Sequence, residues 1–226
     1  MAPALFIAIL GGILPALVWL AFWLLEDRCK PEPKKYIFFC FVAGMLAVIP
    51  ALIIERAMVP YLSGTNLLLG WAATEEIVKF AAACIAALCW AMYDEPLDAV
   101  IYTVTAALGF SALENALFLL TPIQQGDLLR SIITGDLRFI GATLLHTLAS
   151  ATVGVALALA YFKPARVRKM AAIIGLILAI VLHTLFNFFI LGSGSDSTFW
   201  VFLIIWAGII GVLFTLERVK RPADFC

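Results

Sequence analysis

Seven apolar runs, at about 3–25, 36–54, 67–91, 97–120, 139–162, 169–190 and 198–216, take up most of this 226-residue chain. Their lengths of 19 to 25 residues match the roughly 20 that a helix needs to cross a hydrocarbon core. In lipid every backbone polar group must be satisfied internally, so runs of this length fold as helices. Breakers mark the connections: Lys30-Pro31-Glu32-Pro33, Ser63-Gly64-Thr65-Asn66, Asp94-Glu95-Pro96, the stretch 121–136, Lys163-Pro164 and the stretch 192–196. The expected fold is therefore all-α, one integral membrane domain over 1–226 built as a polytopic bundle of about seven transmembrane helices. Composition agrees, with 64% hydrophobic and only 13% charged residues against about a quarter charged in soluble domains. A net charge of zero gives no reason to expect a nucleic-acid partner. The first run has no basic residue before it and exceeds a signal h-region, so it is expected to be a retained helix.

Basic residues predict the orientation. With the N-terminus outside, the cytoplasmic segments hold Arg28, Lys30, Lys34, Lys35, Lys163, Arg166, Arg168, Lys169, Arg218, Lys220 and Arg221, while only Arg56, Arg130 and Arg138 fall outside. The positive-inside rule thus selects N-out, C-in. Trp19, Trp71, Trp90, Tyr93, Tyr161 and Trp200 lie towards run ends, as interfacial anchors do. The five cysteines, Cys29, Cys40, Cys84, Cys89 and Cys226, form no CxxC and read as small apolar residues rather than disulfides or metal ligands.

The third run breaks the pattern with Thr74-Glu75-Glu76-Ile77-Val78-Lys79. Each charge costs roughly 2.5 to 3.5 kcal/mol at the centre of a membrane helix, so the folded protein must repay it. Glu75 and Lys79, four apart, share a helix face and are expected to pair, with Glu76 turned about 100° away. Depth supplies the next constraint. Glu75 and Glu76 follow the outer start of run 3, Glu114 precedes the outer end of run 4, His146 follows the outer start of run 5, and His183 precedes the outer end of run 6. At 1.5 Å per residue all five lie roughly 9 to 14 Å below the outer surface. Three intramembrane glutamates and both histidines of the chain are therefore expected at one level, which marks a functional site.

Carboxylates and imidazoles in a dry site suit activation of water by a general base, with crowding keeping one carboxyl protonated as an acid. Asn187, one turn after His183, shares its face and can help donate hydrogen bonds to an oxyanion. Ser150, one turn after His146, can orient that ring, and Lys79 can hold Glu75 ionised. Structural roles compete with each of these: an ion pair that fixes packing for Glu75 and Lys79, interhelical hydrogen bonding for Glu114 with Asn115, and core packing for Phe110. Arg138, Glu55 and Arg56 sit at outer boundaries and are expected to be mostly solvated.

Glu75-Glu76-x-x-Lys79, Phe110-x-x-x-Glu114, Arg138 with His146 eight residues on, and His183-x-x-x-Asn187 together resemble the four motifs of the PrsW intramembrane proteases, relatives of the CAAX prenyl proteases and of the multi-pass scaffold subunit of γ-secretase. The resemblance spans about 67–190. It implies peptide-bond hydrolysis in membrane-protein substrates, with Glu75 and Glu76 as catalytic glutamates, Glu114 in the second-motif role, and His183 and Asn187 near the scissile carbonyl. Lys79, Phe110 and Arg138 would support them. Because the CAAX enzymes have a histidine where Glu114 stands, the partner imidazole here would be His146 or His183. The resemblance also implies a single-pass membrane-protein substrate, of which an anti-sigma factor is one example, and a multi-pass location in a prokaryotic plasma membrane. The leading expectation is a glutamate-dependent endopeptidase needing no metal. Alternatives are a zinc metalloprotease, for which two histidines and a carboxylate would serve although HExxH is absent, a proton or cation transporter using the same groups as a relay, and a non-catalytic scaffold for other membrane helices.

Overall fold

The computed structural model describes residues 2–27, 30–90, 93–192 and 195–219. Arg28, Cys29, Met92, Lys220, Arg221 and Cys226 lie outside the described residues. Eight α-helices and no strand occur among those described: α1 (Ala2–Glu26), α2 (Lys34–Met58), α3 (Gly64–Ala83), α4 (Pro96–Gln124), α5 (Leu128–Leu137), α6 (Thr143–Leu159), α7 (Ala165–Gly192) and α8 (Ser195–Val219). Two π-helical segments extend them, Cys84–Leu88 after α3 and Arg138–Ala142 between α5 and α6. Six helical spans are long and apolar enough to cross a membrane among the described residues, one of them Leu128–Leu159. With α3, which has the length but carries Glu75, Glu76 and Lys79, the all-α polytopic bundle is as expected.

One connection differs from the expectation. The polar stretch 121–136 is mostly helical: α4 runs on to Gln124, and α5 begins at Leu128. The true break is short, with Gly126 at φ +71°, where glycine carries no Cβ penalty. The Asp127 side chain then caps α5 by accepting from the Arg130 N–H at 2.9 Å. Its polar residues disguise α5 as a loop, yet Leu128, Leu129, Ile132 and Ile133 make it an amphipathic helix with exposed apolar side chains. Cys40, Cys84 and Cys89 are free thiols, in line with the sequence reading.

Helix α4 is the axis of the bundle. It starts with Pro96 behind a Glu95/Asp98 capping box, and every residue from Pro96 to Ala112 is buried. A helix enclosed on all sides needs small residues where its neighbours cross. A Cβ on Gly44 of α2 would collide with the Ala106 carbonyl oxygen, and one on Gly109 of α4 with that of Phe41. Gly44→Val is accordingly expected to cost at least the about 1–3 kcal/mol of overpacking. A lowered melting temperature in detergent would show this; an unchanged one would mean that α2 and α4 can separate freely.

At the end of α4 remote from the histidines, three more carboxyl groups are buried: Asp27, Glu32 and Asp98. Asp27 accepts from the Glu32 backbone N–H at 2.9 Å, and the Tyr102 hydroxyl donates to Glu32. Burial pushes the Glu32 carboxyl up to about 8, with the neighbouring Asp98 and Asp27 acting in the same direction. Burial likewise pushes Asp27 up to about 6. A carboxyl group whose folded value exceeds its unfolded one takes up a proton on folding, so its stabilisation is complete below about 4.5 and is lost as pH rises through about 8. The melting temperature should therefore decline across that window, and Glu32→Gln should flatten the decline. An equal slope in the variant would assign the effect elsewhere.

Candidate active site

Four helices converge on one buried cluster. Helix α3 supplies Glu75, Glu76 and Lys79, α4 supplies Phe110 and Glu114, α6 supplies His146, and α7 supplies His183 and Asn187. Glu75, Glu76, Lys79, His146 and His183 are each less than a tenth exposed. The five ionisable groups expected at one depth are neighbours in the fold: four of them join Lys79 in one chain of hydrogen bonds, and Glu75 lies beside it. The Lys79 ammonium donates to Glu76 Oε1 at 2.6 Å and to His146 Nδ1 at 2.8 Å. His183 Nδ1 reaches the same Glu76 oxygen at 2.7 Å, and His146 Nε2 reaches Glu114 Oε2 at 3.0 Å.

These contacts fix the tautomers. Lysine only donates, so His146 Nδ1 accepts, which leaves Nε2–H to donate to Glu114. A carboxylate only accepts, so His183 donates from Nδ1, and in the neutral ring its Nε2 carries the free lone pair. That nitrogen faces Glu75 Oε2 at 3.8 Å, the same separation as between Glu75 Oε2 and His146 Nδ1. Glu75 Oε2 has no hydrogen-bond partner.

The expected pair between Glu75 and Lys79 is replaced by one between Glu76 and Lys79, three residues apart. Both spacings reach on a helix; His146 decides, because its Nδ1 lies where the ammonium can meet Glu76 as well. His146 is accordingly oriented through Lys79 and Glu114, both ring nitrogens being taken by them rather than by Ser150. Phe110 is core, as its sequence context suggested, and also borders the site: its ring centre is 5.6 Å from that of His146 and 5.1 Å from Lys79 Nζ.

Arg138 is not solvated at the boundary but turned inward. It donates from Nη2 to Glu114 Oε2 and from Nε to Asn115 Oδ1, both at 2.5 Å. Asn115 in turn donates to Thr143 Oγ1 at 2.9 Å, and the Thr143 hydroxyl donates to the Arg138 carbonyl at 2.9 Å. This closed ring of bonds spans the π-helical segment Arg138–Ala142, a geometry common at functional sites. Asn115 and Thr143 join the site unannounced by any motif; the sequence signals for them are that Asn115 adjoins Glu114 and that Thr143 stands one turn before His146.

A cavity of about 490 Å³ opens onto the cluster. Glu75, Glu114, Arg138, His146, His183 and Asn187 line it, whereas Glu76 and Lys79 do not. Glu55 lines it as well; the residue is half-buried, with Oε1 turned out of solvent, whereas Arg56 is exposed as expected.

Glu75, His146 and His183 each offer a ligand atom, all within 4.8 Å of one another, a spread a metal ion can bridge. Two of these atoms are free for one, Glu75 Oε2 and His183 Nε2; the third is not. The His146 nitrogen nearest Glu75 is engaged by the Lys79 ammonium at 2.8 Å, which both occupies the lone pair and repels a dication.

The family model described as "PrsW family intramembrane metalloprotease" matches residues 32–213. Among curated relatives, the chain is 22% identical to Protease PrsW of Bacillus subtilis over 96% of both chains. It is 26% identical to that of Oceanobacillus iheyensis over 95% of both. Against that of Geobacillus kaustophilus it is 27% identical over 57% of this chain and 59% of the relative. No solved structure matches.

Proposed function

This chain belongs to the PrsW family, and from that premise we propose that it is an intramembrane endopeptidase in which Glu75 is the general base. One observation carries the choice of Glu75 over Glu76: Glu76 is bound by Lys79 and His183 and faces away from the cavity, while Glu75 lines the cavity with an unpartnered oxygen beside the free lone pair of His183. A water between Glu75 and His183 gives one hydrogen to each. Glu75 takes its proton as the oxygen attacks the scissile carbonyl carbon. The resulting oxyanion accepts from the Asn187 amide. Collapse breaks the C–N bond, and Glu75 returns the proton to the leaving nitrogen. Glu76, Lys79, His146, Glu114 and Arg138 act as positioning residues: Glu76 sets the tautomer of His183, and the others hold the wall opposite it.

The substrate class we propose is a single-pass membrane protein, an anti-sigma factor being one candidate, cut near the outer face of a bacterial plasma membrane. The orientation rests on the distribution of basic residues and the location on the bacterial relatives. The test is cleavage of a panel of single-pass proteins by the protein in liposomes, with the cut bonds mapped by mass spectrometry. Cuts within the outer half of the span support the proposal. Cuts confined to soluble tails would remove the intramembrane assignment.

A further inference from the structure

We propose that Glu55 selects substrates carrying a basic side chain between the scissile bond and the nearer membrane boundary. The proposal rests on the protease reading above and adds the substrate chemistry. Glu55 lies in the last turn of α2, on the wall of the cavity that holds Glu75. Its Oε1 is buried without a hydrogen-bond partner, and no ion pair reaches it among the described residues.

Charge accounting at the cavity makes this more than a stray carboxylate. Lys79 is committed to Glu76 and His146, and Arg138 to Glu114 and Asn115. Glu55 and Glu75 are left as two carboxyl groups with no lysine or arginine in contact among the described residues. Low-dielectric walls, here Leu52, Trp71 and Phe118, strengthen the pull of such groups on a cation. A lysine or arginine on the substrate can approach Glu55, while Glu75 stays free to take a proton from water. Glu55 is three residues from the end of α2 and Glu75 eleven from the adjoining start of α3, which places them about 12 Å apart in depth at 1.5 Å per residue. An extended substrate covers that distance in about three to four residues, which sets the register of the basic residue.

The test is binding to the full chain carrying Glu75→Gln, so that turnover is not needed. The probes are fluorescent single-span peptides in detergent micelles, with one lysine scanned through the outer half of an otherwise apolar span and a norleucine peptide as reference. A lysine at one register should bind about tenfold tighter or better than the reference. Adding Glu55→Gln should abolish the preference, and Glu55→Arg should transfer it to peptides with glutamate at that register. No lysine preference at any register, or one that survives Glu55→Gln, overturns the proposal. The outcome is separate from the protease reading, which fails only if the unsubstituted protein cuts no single-pass substrate.

Discussion

Glu75→Gln should cleave a single-pass substrate about 10²- to 10⁴-fold more slowly than the unsubstituted chain, the range that a positioned general base supplies. The amide keeps the shape of the side chain and removes its capacity to take a proton. Its stability should not fall, because the substitution removes a buried carboxylate oxygen that has no partner in the fold. Functional sites commonly hold such costly groups, and neutralising them often raises stability. Glu76→Gln should separate from it in kind: the amide can still accept from Lys79 and His183, but it loses the charge that holds both. A melting temperature below that of Glu75→Gln, together with partial activity, is expected. Single-turnover cleavage and thermal unfolding of the two variants check this. Full activity in Glu75→Gln would remove it from the role of base.

Lys79→Met should be the most destabilising single substitution at the site, by about 3 to 5 kcal/mol, the cost of leaving a buried charge without its partner. Lys79 and Glu76 are each 1% exposed, so no solvent replaces the lost contact. The same change strips His146 Nδ1 of its donor. Combining Lys79→Met with Glu76→Gln should recover much of the loss, since the double variant no longer buries an uncompensated carboxylate. A double-mutant cycle in detergent measures that coupling directly. Additive losses would show that the two side chains do not act as a pair.

The membrane helices were legible because hydrocarbon leaves so few options for an apolar run. Counting residues from span ends groups Glu75, Glu76, Glu114, His146 and His183, since depth along a helix follows from its rise alone, and the fold makes these five neighbours. Partner choice within that level was not legible. Lys79 is within reach of Glu75 at four residues and of Glu76 at three, and only the position of His146 on another helix decides between them. The ranking of Glu75 over Glu76 likewise needed the cavity, which belongs to no single helix. Arg138 departs from its expected place because an end-of-helix charge reads as solvated until a neighbouring helix is seen to pair with it, and Glu55 departs in part, being half-buried. The π-helical turn that aims Arg138 inward has no composition of its own, and the polar face of α5 concealed the helix leading into it.

In the proposed mechanism a carboxylate, with Lys79 occupying the nearby imidazole, activates the water. The most direct test of this is cleavage of a single-pass substrate by purified protein after exhaustive chelation, with bound metal measured on the same sample. Cleavage is expected to continue at an undiminished rate with metal far below one equivalent. Loss of cleavage on chelation, restored by adding zinc, would contradict it and make Glu75, His146 and His183 metal ligands.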